Sequence, residues 1–182
     1  MPDTSQAPSE SGGAASDSLS VLIPSPIGSL GLTLRDDVLT EVVIVPKGRE
    51  KKRFTPFTEA PRSEHLDEVL GRLSEYFAGA RKKLDLPYDL DATGVDAFAR
   101  RVLRETARIP YGKTRTHQQV AKAAGNADGY RLALAALMAN PLPIVIPCHR
   151  VVPAGSGVGS YIAGSRKKSQ LLKLEAQAIA SD

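Results

Sequence analysis

The chain has 182 residues but only one cysteine and no tryptophan. One cysteine cannot close an internal disulfide, which fits a reducing compartment, the cytoplasm or a eukaryotic nucleus, and leaves a free thiol. No cysteine pair offers a metal site. His65, His117 and His149 lie too far apart for ligand spacing, so no metal is expected. No apolar run approaches the length of a membrane span, and no charged-then-apolar leader opens the chain, so neither a membrane nor a secretory route is expected. Residues 1–18 lack Lys, Arg and every large apolar residue except Met1. Such a stretch cannot bury enough surface to offset its ordering entropy and is expected to be a disordered tail.

Net positive charge is absent from the first half and concentrated in the second. Residues 19–92 hold 11 basic and 12 acidic side chains, whereas residues 93–182 hold 13 basic and 5 acidic ones. A one-sided basic field suggests a polyanion such as nucleic acid; a solvated basic surface explains it equally.

Leu19–Ile23, Leu30–Leu34 and Leu39–Val45 read as strands joined by Ser25-Pro26-Ile27-Gly28 and Asp36-Asp37, an antiparallel meander. Gly48–Arg62 reads as a long exposed loop. Leu66, Val69, Leu70, Leu73, Tyr76 and Phe77 recur at helical spacing, predicting an amphipathic helix over Ser63–Phe77 that Ser63 opens and Gly79 ends. An extended stretch, 84–90, leads to a linker at 91–94. The expected boundary there separates an N-terminal domain, 19–92, from a C-terminal one, 93–182.

The second half is mostly helical. Phe98, Val102, Leu103 and Ala107 mark one helix, and Thr116-His117-Gln118-Gln119 has capping-box spacing for a second, to about Ala124. Gly125-Asn126 breaks it, and a third runs from about Asp128 to Met138. Two helices across a short glycine turn in a basic domain form either a helix-turn-helix or an ordinary packing unit. Residues 154–159 make a glycine-rich loop, a wing or lid or else a flexible turn. A last helix covers Gln170–Ala178.

Ile146-Pro147-Cys148-His149-Arg150-Val151-Val152 sets the one thiol in a buried turn between apolar runs. Adjacent residues cannot bring the imidazole onto the sulfur without a kinked backbone or a bridging water. A neighbouring base and cation point to a reactive thiol; a lone cysteine also serves as a small buried apolar side chain.

These motifs resemble the O6-alkylguanine-DNA alkyltransferases, the methylated-DNA–protein-cysteine methyltransferases. The resemblance covers nearly everything after the tail. It is carried by Ser25-Pro26-Ile27-Gly28, Tyr76-Phe77-Ala78-Gly79, Ile109-Pro110-Tyr111-Gly112, Arg131, Asn140-Pro141, Pro147-Cys148-His149-Arg150-Val151, Gly159, Tyr161, Leu171-Leu172 and Glu175. It implies an α/β N-terminal domain resembling ribonuclease H, with antiparallel strands plus a helix. A mostly α C-terminal domain with a helix-turn-helix and a wing follows.

The resemblance further implies a monomeric DNA repair protein acting on double-stranded DNA that contains O6-alkylguanine. It would move the alkyl group irreversibly to Cys148, once, with no cofactor. Cys148 would be the nucleophile, His149 the base acting through a water, and Glu175 the group orienting it. His117, Val151, Tyr161 and Ile162 would bind the substrate base. Arg131 would fill the gap left by the extruded nucleotide, because the target atom is unreachable until the base is flipped. Asn140 would hold the turns around the site.

The chain departs from the family pattern in places. His117 stands where a tyrosine is usual, and it either donates a hydrogen bond to the base instead or serves only as a helix-start residue. Tyr130, Leu134 and Ala135 replace small or glycine-containing sequence, and Leu103 replaces a tryptophan. A lesion-binding protein that flips the base without transfer, and a Cys-His-Glu hydrolase, are the alternative readings. Relatives of the first kind lack the cysteine, and the second leaves the basic half without a role.

Overall fold

The computed structural model describes residues 18–46, 48, 53–91 and 93–181. The tail expected over 1–18 therefore lies outside the described residues, except for Ser18, which opens the first strand. β1 (Ser18–Ile23), β2 (Leu30–Arg35) and β3 (Val38–Ile44) pair antiparallel in sequence order, as the alternating pattern predicts. Asp36 and Asp37 both take positive φ, 48° and 64°. A two-residue hairpin turn requires that pair of conformations, and aspartate tolerates them better than most residues.

The 48–62 stretch departs from the expected exposed loop. Thr55–Pro56 forms β4, parallel to β1, and gives the sheet the order β3-β2-β1-β4. Phe54 is buried, and its ring lies over Gly31, where a Cβ would stand 2.3 Å from the ring. A two-residue strand has no periodicity to detect, and its partner lies far away in sequence.

α1 (Glu64–Phe77) begins as expected, with the Ser63 hydroxyl accepting from the Leu66 amide at 3.1 Å. It buries Leu66, Val69, Leu73 and Tyr76. α2 (Ala97–Ala107) is capped by Asp96 and buries Val102, Leu103 and Thr106. β5 (Arg115–Thr116) leads into α3 (His117–Ala123), whose capping box between Thr116 and Gln119 forms as its spacing predicts. α4 (Tyr130–Met138) starts two residues later than expected, after Gly129.

A single 3-10 turn, Cys148–Arg150, then feeds β6 (Val151–Val152), which pairs parallel with β5. α5 (Ser165–Ala180) begins at Ser165 rather than Gln170. The basic run Arg166-Lys167-Lys168 shows no apolar spacing, yet it forms the first turns because Lys168 is buried rather than solvated. The buried side chains from Val21 to Leu171 form one continuous apolar cluster, into which the cysteine turn is set. Among the described residues no helix is long and apolar enough to cross a membrane.

Candidate active site

The cysteine turn is held from three sides. Asn140 is buried; its amide nitrogen donates to the Ile146 carbonyl at 3.0 Å and its oxygen accepts from the Leu142 amide at 3.0 Å. Between them Ile144 is forced to φ 78°, a conformation a β-branched residue adopts only when its surroundings over-determine it. From β6, Val151 is fully buried beside the turn. From below, α5 presents Glu175.

Glu175 is completely buried and its acceptor sites are filled. His149 Nε2 lies 2.7 Å from Oε1, and the Tyr76 hydroxyl donates to the same oxygen at 2.7 Å. Arg150 donates through Nε at 3.1 Å and 3.0 Å and through a terminal nitrogen at 2.9 Å. The Gly112 amide donates to Oε2 at 2.8 Å. Burial alone would raise this carboxyl, but the His149 and Arg150 donors outweigh it and hold it at about 2. Arg150 also donates to the Ile109 carbonyl at 2.6 Å and sits 5.5 Å from the centre of the Tyr111 ring.

This arrangement fixes the state of His149. Burial pushes its pKa down, so the ring is neutral, and Nε2 must then carry the proton donated to Glu175. Nδ1 is left with its lone pair, buried and without a partner among the described residues. A neutral imidazole whose free nitrogen is an acceptor is a competent general base.

Cys148 is 4% exposed, and burial pushes its thiol up to about 11, against the pull of Asn140, Lys168 and Tyr161. The thiol is therefore protonated at neutral pH and must lose its proton as it attacks. Tyr161 is buried beside it, raised by burial and by that thiol, with its ring edge-on to His149 at 6.5 Å.

The other expected site residues divide. His117 lines a cleft of about 380 Å³ with Tyr130, Leu134, Pro153, Gly159 and Ser160. Burial and the charge of Lys168 lower the His117 pKa, opposed by a hydrogen bond to the Val152 backbone, so this imidazole too is neutral at pH 7. Arg131 is exposed on the first turn of α4, where Nε donates to the Tyr130 hydroxyl at 3.1 Å. Ile162 is 40% exposed, unlike buried Tyr161. Thus Cys148, His149, Glu175, Asn140, Val151 and Tyr161 share the buried turn, while His117 lines the adjacent cleft and Arg131 stands on the helix beside it. Among the described residues no cluster of His, Cys, Asp or Glu is arranged to hold a metal ion.

Three participants escape a reading of the sequence. Tyr76 lies on the apolar face of α1 and counts there as a core residue; its hydroxyl, which when buried needs a partner, was the available signal. The Gly112 amide carries no side-chain signature. Lys168 sits in a basic run that reads as surface.

A family model described as the 6-O-methylguanine DNA methyltransferase DNA-binding domain matches residues 97–177. The methylated-DNA–protein-cysteine methyltransferase of Mycolicibacterium paratuberculosis is 39% identical over 153 residues, 84% of this chain and 89% of that protein. The protein of the same name from Archaeoglobus fulgidus is 38% identical over 140 residues, 73% of this chain and 90% of its own length. The crystal structure of the Mycobacterium tuberculosis O6-methylguanine methyltransferase superposes with a TM-score of 0.77 at 31% identity, covering 91% of this chain and 97% of the other. The structure of the M. tuberculosis protein in complex with DNA gives 0.75 at 31% identity, over 87% and 93%. With identity of this level sustained over most of both chains, the protein belongs to the methylated-DNA–protein-cysteine methyltransferase family.

Proposed function

We propose that the protein repairs DNA by transferring the alkyl group from O6 of an alkylguanine in duplex DNA to the sulfur of Cys148. The observation that carries this reading is the buried turn itself. A lone thiol stands one residue from a neutral imidazole whose Nε2 is committed to Glu175 and whose Nδ1 lone pair is free.

The thiol proton passes to His149 Nδ1 through a water, and Glu175 stabilises the imidazolium that forms. Sulfur attacks the alkyl carbon in line; the S–C bond forms as the C–O bond breaks, and the electron pair goes to guanine. The leaving guanine accepts hydrogen bonds as charge develops on it, from the Tyr161 hydroxyl and the Ile162 backbone, while His117 and the Val151 backbone line the pocket. The thioether is stable, so each molecule acts once, and no cofactor enters the balance.

The α3–α4 pair acts as the helix-turn-helix, with the 154–159 loop as its wing and Arg131 as the side chain that fills the stack behind the extruded base. The sheet and α1 make the ribonuclease H-like N-terminal domain, divided from the C-terminal domain near residue 92. The protein acts as a cytoplasmic or nuclear monomer. Incubation with an O6-alkylguanine oligonucleotide, followed by intact mass and peptide mapping, tests this. One stoichiometric adduct on Cys148 is expected; tight binding with an unmodified thiol would overturn transfer.

A further inference from the structure

The cleft beside the cysteine turn has one wall that the transfer chemistry leaves without a role. Tyr130 and Leu134 stand one turn apart on α4 and both line it, with His117 from α3 and Pro153 and Gly159 from around the glycine-rich loop. Tyr130 is the first residue of the helix and is 47% exposed, so packing does not account for its size. Next to it stands Arg131. The arginine Nε donates to the Tyr130 hydroxyl at 3.1 Å, and the guanidinium carbon lies 5.8 Å from the centre of the Tyr130 ring. Among the described residues no carboxylate pairs with Arg131, so the tyrosine is the partner that orders the cation.

The backbone beneath this pair is fixed. Gly129 donates to the Asn126 carbonyl at 3.1 Å and its own carbonyl accepts from the Ala133 amide at 2.9 Å. A Cβ at Gly129 would stand 2.5 Å from Asn126 Nδ2, so the turn between α3 and α4 closes without room for a side chain there. What must still be ordered at the start of α4 is the long arginine side chain. Immobilising such a side chain on binding weakens the complex, and a partner that orders it beforehand recovers that loss. The atom used also matters. Nε is the guanidinium donor nearest the backbone; with it committed to Tyr130, both terminal nitrogens and the planar face remain for an unpaired base. The ring adds its own attraction for the cation, since the separation lies within cation–π range.

We propose that Tyr130 is a positioning residue for Arg131: its hydroxyl and ring hold the guanidinium in place before DNA arrives, so that extrusion of the base meets an ordered side chain. The proposal rests on the transfer reading, in which Arg131 fills the gap left by the extruded nucleotide. Extrusion costs unstacking and unpairing, and an arginine ordered in advance offsets more of that cost. The large residue at 130, one of the departures from the family pattern, thereby acquires a use.

Duplex DNA demands extrusion and a free alkylated base does not. Second-order rates of adduct formation on Cys148, from a duplex holding O6-benzylguanine and from the free O6-benzylguanine base, therefore separate the step served by Arg131 from transfer itself. Tyr130→Phe keeps the ring and removes the acceptor. It should lower the duplex rate relative to the free-base rate by about threefold to tenfold. Starting from Arg131→Ala, adding Tyr130→Phe should change that ratio by less than about twofold, as two residues acting through one contact require. An unchanged ratio in Tyr130→Phe overturns the proposal. So does a ratio that rises, because the bond would then hold Arg131 away from DNA. An equal fall in the Arg131→Ala background overturns it as well, since the hydroxyl would then act on DNA directly. A wild-type protein that forms no adduct from either substrate fails the transfer reading, whereas the positioning role fails among proteins that still react with the free base.

Discussion

Glu175 concentrates the site's electrostatics in one side chain, and its removal should be correspondingly costly. Glu175→Ala leaves the Arg150 guanidinium buried beside an empty space and frees His149 Nε2. Breaking a buried pair in this way typically costs about 3–5 kcal/mol. Urea denaturation should register a loss of that order, and iodoacetamide reactivity of Cys148 should change with it. The pH dependence has a definite sign. Glu175 is held at about 2 against an ordinary 4.5, so the unfolded chain binds its proton more readily. The stability it contributes is fully present above pH 4.5 and is lost as pH falls toward 2. His149, lowered from 6.5 by burial, acts in the same direction and starts earlier, because the unfolded chain gains that proton first. Urea midpoints should therefore fall steadily once pH drops below about 6.5. In Glu175→Gln the part of the fall below pH 4.5 should be missing. A stability that stays flat down to pH 3 would contradict the assignment of a buried, ionised Glu175.

The elements that were legible in the sequence are those set by local chemistry. Ser63 and Thr116 announce α1 and α3 because a cap hydroxyl bonds an amide only three residues away. Removing the second cap, with Thr116→Ala, should lower thermal stability by about 1 kcal/mol, since the Gln119 amide loses its acceptor while the bond from the residue-116 amide to Gln119 Oε1 remains. Elements fixed by distant partners were not legible. β4 pairs with β1 more than thirty residues away and follows Phe54, which covers Gly31, and the first turns of α5 carry Lys168, which reaches the carbonyls of Val151 and Ser160. The turn from 140 to 150 lies between these extremes. Its Asn-Pro and Pro-Cys-His-Arg runs mark it in the sequence, but the left-handed Ile144 has no local cause. Asn140 supplies one from outside by bonding both ends of the turn. Asn140→Ala should leave the buried Leu142 amide unpaired and remove one of the two donors to the Ile146 carbonyl, costing roughly 1–3 kcal/mol. The variant should also show a Cys148 thiol more open to small alkylating reagents; unchanged stability and reactivity would argue against that clamp.

At the scale of the molecule, the site is assembled from both halves of the chain. The grouping of Cys148, His149 and Glu175 is carried by the family resemblance and not by spacing, since Glu175 stands 26 positions beyond His149. Tyr76, by contrast, comes from α1 across the proposed boundary, 73 positions from His149 and 99 from Glu175. Its hydroxyl donates to Glu175 Oε1, its ring meets Tyr111 edge-on at 5.6 Å, and its own ionisation is strongly suppressed by burial and by that carboxylate. The first half is thus part of the active site's electrostatics as well as a scaffold beside it. Tyr76→Phe isolates this link, because it keeps the ring and its packing and deletes one donor to a charged acceptor. A hydrogen bond to a charged group contributes about 1.5–3 kcal/mol, so unfolding should shift by that amount. With one donor fewer, Glu175 should also become easier to protonate, moving the acid loss of stability to higher pH. Both effects should appear together in a series of urea melts across pH. An unchanged stability together with an unmoved acid limb would mean that Tyr76 serves packing alone, and that the two halves are joined by apolar contact rather than through Glu175.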